Sequence, residues 1–173
     1  GHSEKILESD LIIISPGISD QLKILKEVKN KKIPMISEVE FSSWFTSAPI
    51  LAVTGSNGKK TTTKLLYNII KDAGYNALLG GNIGIPFSKN ILREYKSKKK
   101  NIVHILELSS FQLEHVKFFS PNVACILNIS PDHLDRYKSI KEYLEAKLNI
   151  FKNLTHPNWL VYNADDLLLK RNL

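Results

Sequence analysis

The chain has 173 residues, 43% of them apolar and 24% charged, with a formal net charge of +7 and a single cysteine. This is ordinary globular usage: it excludes a disordered chain, and the length allows one generous core or one domain plus part of another. An internal disulfide is impossible, no stretch reaches the roughly 18 apolar residues of a membrane span, and no export signal is visible, so a reducing, cytoplasmic setting is expected.

Gly1, His2 and Ser3 look like a tag-cleavage scar. The apolar run Leu11 to Ile14, then Ser15-Pro16-Gly17, then a helical pattern from Asp20 to about Lys31, reads as strand, turn and helix. Ile33 to Ile36 is a second strand and Glu38 to Phe45 a short helix. A new series opens with the strand Ile50 to Thr54, which runs through glycines into a helix from Thr61 to Ala73. Further strands are predicted at Ala77 to Leu79, Ile102 to Leu106, Val123 to Asn128 and Trp159 to Tyr162. Helices are predicted near Pro86 to Tyr95, Ser110 to Phe118 and Ser139 to Asn153, and another begins at Asp165. This alternation is that of an α/β fold, a parallel sheet with flanking crossover helices. Composition places a boundary near Thr46 to Pro49, and both ends read as cut.

The positive excess gathers in two runs, Lys29, Lys31 and Lys32, and Lys96 with Lys98 to Lys100, each closing a predicted helix. Solvated surface that compensates the helix dipole accounts for such runs, and no aromatic residues interleave as a nucleic-acid groove would require. Cys125 lies in the apolar run Val123 to Leu127 and reads as a small buried hydrophobe.

The strand Ile50 to Thr54 leads into Gly55, Ser56, Asn57, Gly58, Lys59, Lys60 and Thr61. Glycines let backbone N–H groups converge on an anion, a helix N-terminus adds its dipole, and a lysine neutralises outer phosphates, so this segment is a candidate nucleotide cradle. Only two residues separate Gly55 from Gly58, against four in the general phosphate-loop pattern. The residue after the loop lysine normally carries a hydroxyl that reaches magnesium; here it is Lys60, so either Thr61 assumes the role or the site is altered.

Glu107 ends a predicted strand, where a carboxylate would point into the ligand crevice and could hold magnesium; the alternative is a surface carboxylate capping the next helix. His133, between Asp132 and Asp135 at another strand end, is a candidate ligand or catalytic group. Lys147 shares a helical stripe with Ile140, Leu144 and Phe151. On spacing alone the favoured reading is a side chain snorkelling at the core edge; the sharper one holds it near the metal site.

Together these residues resemble the Mur ligase family, whose shared pattern is a T-G-x-N-G-K loop, a strand-end glutamate, a histidine before a helix and a lysine on that helix. Here these are Thr54 to Lys59, Glu107, His133 and Lys147. Gly80 to Gly84 as G-G-N-I-G, Glu107 to Glu114 as E-L-S-S-F-Q-L-E and Asp132 to Arg136 as D-H-L-D-R look like the D-glutamate-adding branch, as do S-P-G-I at Ser15 to Ile18 and N-A-D-D at Asn163 to Asp166.

The resemblance implies a three-domain ligase. Residues 1–47 would be the end of a Rossmann-like N-terminal domain that binds UDP, and 48–173 an incomplete P-loop ATPase-like central domain, with the third domain absent and the piece alone unable to turn over. It implies ATP and Mg2+ as cofactors, UDP-N-acetylmuramoyl-L-alanine and D-glutamate as substrates for a peptidoglycan precursor, a monomer, and no nucleic-acid partner. By the same resemblance Lys59, His133 and Lys147 are catalytic, and Gly55 to Thr61 bind the nucleotide. Glu107, His133, Thr61 and a carbamylated Lys147 hold metal, and Asn82, Ser109 and Gln112 contact substrate. Lys60 departs from the family's usual Ser or Thr. The rival readings are another ligase of the superfamily, including a folylpolyglutamate synthetase type, and a nucleotide-binding module without catalysis.

Overall fold

A computed structural model describes residues 3–19, 21–132 and 136–173. After a 3-10 turn at Glu4–Glu8 come β1 (Ile12–Ile14), α1 (Lys23–Asn30) and β2 (Met35–Ser37). The two strands pair in parallel, Ile12 beside Met35 and Ile14 beside Ser37, and α1 packs Leu25 and Val28 onto Ile12 and Ile14. Ile13, on the opposite face of the pleat, is exposed.

Two strands alone make a marginal sheet. α2 (Glu38–Ser43) fastens this pair to the larger body, because Val39 belongs to the main core and the Glu40 carboxylate is fully buried against it. Glu40 accepts the backbone N–H groups of Lys117, Phe118 and Phe119 at 2.8–3.1 Å and the Trp44 indole N–H at 2.8 Å. The Ser37 N–H, at the end of β2, donates to the His115 carbonyl.

The larger body is built from β3 (Ile50–Thr54), α3 (Lys59–Asp72), β4 (Asn76–Gly81), α4 (Phe87–Lys96), β5 (Ile102–Glu107), α5 (Ser110–Leu113), β6 (Val123–Ile126), α6 (Ile140–Leu148), β7 (Trp159–Tyr162) and α7 (Leu167–Asn172). Its five strands are all parallel in the order β4-β5-β3-β6-β7. The chain leaves β3 toward one edge and later crosses to the other side of it, so β3 adjoins the point where strand order reverses, the place where such sheets bind ligands at their carboxyl ends.

Ile50, Ala52, Leu106, Ala124 and Ile126 form one core with Val39, Phe87, Ile91, Leu113 and Tyr143 from the helices. α3 packs against β3, β4 and β5 instead, with Thr63 as its one fully buried residue. β7 carries Trp159 and Val161 largely exposed, and Cys125 on β6, paired beside Val161, is half-buried rather than buried.

α1 begins at Lys23 and α2 ends at Ser43, each a turn or less inside the expected bounds, and three further helices differ for identifiable reasons. α3 starts two residues early, since Gly58 adopts φ +81 and turns the chain directly into the helix. α5 stops at Leu113 rather than Phe118 because Glu40 takes the N–H groups of residues 117–119 that would have continued it. α6 ends at Leu148, after which Ile150 and Phe151 donate three residues back and the chain tightens out of the α-helix. Among the described residues no helix is long and apolar enough to cross a membrane.

Candidate nucleotide and metal site

The loop 55–58 joins β3 to α3 at the carboxyl edge of the sheet. Gly55 has φ +147, and a Cβ there would lie 3.0 Å from that of Leu127, so the loop passes the end of β6 at a distance only glycine allows. The segment after β6 braces it. Asn57 N–H donates to Asn128 Oδ1 at 2.8 Å and Asn128 Nδ2 donates to the Asn57 carbonyl at 3.1 Å. Ser56 Oγ donates to the Ser130 carbonyl, accepts the Ser130 N–H at 2.9 Å and lies 3.2 Å from the Tyr143 hydroxyl. Asn128, Ser130 and Tyr143 were not among the candidates from sequence. The polar N-I-S-P run directly after an apolar strand was the available signal for the first two.

The α3 N-terminus has no side-chain cap, and its first backbone donation to the loop comes from Thr62 to the Gly58 carbonyl. The N–H groups of the preceding turn are thus left for an anion. Lys59 folds over the loop, its Nζ donating to the carbonyls of Gly55 and Ser56 at 2.8 and 2.7 Å. Lys60 and Thr61 are exposed.

Lys147 is 1% exposed, which rules out the snorkelling reading. Its Nζ donates to the same Gly55 carbonyl at 2.9 Å and stands 4.6 Å from the Tyr143 ring centroid. Burial, reinforced by repulsion from Lys59 and opposed by Asp132 and Glu107, pulls its pKa down to about 7. An amine so placed is substantially neutral near physiological pH.

Glu107 is 3% exposed, which excludes a surface cap; the cap of α5 is Ser109. One carboxylate oxygen accepts from Asn82 Nδ2 at 3.0 Å, and the other is buried with no hydrogen-bond partner among the described residues. Asn82 reaches it because Gly80 and Gly81 let β4 turn closely over β5: the Asn82 N–H donates to the Glu107 carbonyl at 2.7 Å, and a Cβ on Gly81 would fall 2.3 Å from that carbonyl oxygen. A buried acceptor left open suits a hard cation. Among the described residues no three acidic, imidazole or thiol groups gather into a complete cage, and His133 lies outside them.

Ser109 and Gln112 close a reciprocal capping box, Gln112 N–H donating to Ser109 Oγ at 3.3 Å and Ser109 N–H to Gln112 Oε1 at 3.1 Å. Nearby, Arg136 lies 4.2 Å over the Phe111 ring and donates to Glu114 at 3.1 Å and to the Ile18 carbonyl at 3.3 Å. Tyr137 donates to the same Glu114 carboxylate, and burial first, that bond second, raise its pKa.

A strand, a glycine-rich loop with its lysine and a helix, set at the reversal point of a parallel sheet beside a strand-end carboxylate, define an α/β nucleotide-binding domain of the P-loop class. The model of the Mur ligase middle domain matches residues 53–173. The chain is 43% identical over 176 residues to a UDP-N-acetylmuramoylalanine--D-glutamate ligase of Chloroherpeton thalassium, covering 99% of this chain and 37% of the relative. It is 48% identical over 163 residues to one of Citrifermentans bemidjiense, covering 94% and 35%. Among solved structures it resembles a UDP-N-acetylmuramate:L-alanyl-gamma-D-glutamyl-meso-diaminopimelate ligase of Neisseria meningitides (TM-score 0.64, 19% identity, 100% of this chain and 58% of that one). It also resembles the MurF ligase of Thermotoga maritima in complex with ADP (TM-score 0.59, 20% identity, 93% and 44%). The chain belongs to the Mur ligase family. It spans little more than a third of the length of the curated relatives it matches.

Proposed function

We propose that the full-length protein is an ATP-dependent ligase that joins D-glutamate to UDP-N-acetylmuramoyl-L-alanine, contributing to peptidoglycan precursor synthesis. The observation that carries this reading is the convergence of Lys59 and buried Lys147 on one loop carbonyl, Gly55, beside a buried carboxylate with an open oxygen. The relatives at 43% and 48% identity, both UDP-N-acetylmuramoylalanine--D-glutamate ligases, supply the substrates of this reading.

In this reading, residues 1–47 close a UDP-binding domain and 48–173 form most of the ATP-binding one. A carboxylate is a poor acyl donor, so the L-alanyl carboxylate oxygen first attacks the terminal phosphorus of ATP; the bridging P–O bond breaks and ADP leaves. The neutral amine of D-glutamate then attacks the acyl carbon, and the C–O bond to phosphate breaks as the amide forms, the proton lost from nitrogen leaving with the released phosphate. The Lys59 ammonium exchanges loop carbonyls for phosphate oxygens, and the N–H groups of Gly58 and the start of α3, which no side chain caps, hold the transferring group in line.

Glu107 and His133, with Lys147, are the residues to hold Mg2+, which when bound neutralises charge on the phosphates. A neutral Lys147 amine can add carbon dioxide, releasing a proton and becoming an anionic carbamate that suits a hard cation. Asn82, directly after the neighbouring strand β4, orients Glu107.

The test is ADP release by the full-length protein with Mg2+, ATP and UDP-N-acetylmuramoyl-L-alanine, comparing D-glutamate with L-glutamate, L-lysine, diaminopimelate and no acceptor. Release with D-glutamate alone is expected. Release with another acceptor reassigns the substrate within the superfamily, and nucleotide binding without release under any acceptor supports a non-catalytic module.

A further inference from the structure

Phosphate loops of this class place a hydroxyl directly after the loop lysine, and that oxygen helps hold a metal ion against the outer phosphates. This chain places Lys60 there, and a lysine ammonium has three donors and no lone pair with which to ligate a metal. The residues at this spot therefore do not fit a magnesium ligand set.

The neighbouring hydroxyls do not repair the loss by simple substitution. Each helical residue is rotated by about 100° from the last and raised by about 1.5 Å, so Thr61 projects in a different direction from residue 60. The Thr63 hydroxyl is bonded back to the Lys59 carbonyl in the preceding turn.

Lys60 itself is available. It is exposed, and it makes no hydrogen bond or ion pair among the described residues, whereas Lys59 beside it already binds two loop carbonyls. It occupies the second position of α3, and Cα–Cβ bonds in a helix tilt toward the N-terminus, which here is the mouth of the loop. Its flexible four-carbon stem carries a compact charge to phosphate oxygens. Lys59 and Lys60 concentrate positive charge around one short loop, an arrangement that an arriving triphosphate relieves.

We infer that Lys60 replaces, with its own ammonium, the cation that a hydroxyl-ligated metal supplies to the outer phosphates in other phosphate loops, leaving Glu107 to hold a single divalent ion. This rests on the nucleotide-binding reading above.

The experiment measures affinity of the full-length protein for ATP by calorimetric titration, in EDTA and in Mg2+, for the wild type and for Lys60→Thr and Lys60→Arg. A charge-assisted contact to phosphate predicts that the wild type loses less than about threefold on metal removal, while Lys60→Thr loses more than about tenfold and recovers in Mg2+. Lys60→Arg keeps the wild-type pattern. In a parallel titration read by electron paramagnetic resonance, the ATP-bound wild type takes up one Mn2+ and Lys60→Thr takes up two. Equal loss on metal removal in wild type and Lys60→Thr overturns the inference and leaves ATP binding standing. No ATP binding by the wild type in either buffer overturns the nucleotide reading and this inference with it.

Discussion

The Nζ of Lys147 and the carbonyl oxygen of Gly55 lie 2.9 Å apart across 92 positions of sequence, so the first residue of the phosphate loop is held by a buried lysine on α6. The same carbonyl accepts Lys59 at 2.8 Å, and the charge of Lys59 adds to burial in disfavouring the protonated form of Lys147. Replacing Lys147 with Met removes both the loop contact and any carbamate. With carbon-13-labelled bicarbonate, the wild type is expected to show a carbamate resonance that Lys147→Met lacks. ADP release should fall about 100-fold or more in that variant, the usual cost of losing one charge-stabilising group in a transition state.

Gly81 lies where any side chain collides with backbone, its notional Cβ 2.3 Å from the Glu107 carbonyl oxygen and its φ at +98. Gly81→Ala should cost about 2 kcal/mol or more, because backbone must shift on both β4 and β5. The shift is expected to dislodge Asn82 from Glu107, so Mn2+ affinity measured on folded Gly81→Ala should fall alongside the urea midpoint.

Glu40 is a buried anion satisfied by three backbone N–H groups and an indole. A glutamine there would turn an amide donor toward groups that are all donors. Glu40→Gln is expected to lower stability by about 2–4 kcal/mol in urea unfolding. The Trp44 fluorescence should report the lost indole bond.

His104 is fully buried on β5, with Nε2 2.7 Å from Glu94 and its ring edge-on to Phe87; Thr46 binds the same Glu94 carboxylate. Burial, the largest influence, lowers its pKa despite the hydrogen bond and charge of Glu94, which act the other way. The unfolded chain therefore takes up this proton first as pH falls. Stability is full above the unfolded value of about 6.5 and declines as pH drops from there to the lowered folded value. Urea midpoints at pH 7.5 and 5 should differ more in the wild type than in His104→Gln.

Much of the larger sheet could be read from the chain because its signals are contiguous. The apolar run Ile50 to Thr54 is followed at once by glycines and a helix, and the strands at Ile102 and Val123 each end in a polar cluster. Lys147 could be suspected from its place on an apolar stripe, but its burial depends on Gly55 and Tyr143, which no local pattern connects to it. The shortness of α5 was illegible for a related reason: helical propensity continues to Phe118, and the competing acceptor, Glu40, is 77 residues away from Lys117. The S-x-x-Q spacing of Ser109 and Gln112 is that of a capping box, a signal local enough to be legible in sequence.

The grip of Glu40 on residues 117–119 also has a mechanical side. Three donors from consecutive residues meet on one carboxylate, so sliding the segment along α2 by an ångström or so would stretch all three bonds together. A greasy contact gives way gradually as surfaces creep past one another; this one holds its position or lets go. The Glu40 contact between the small two-stranded unit and the larger sheet is thus a clasp, set beside the apolar contact of Val39.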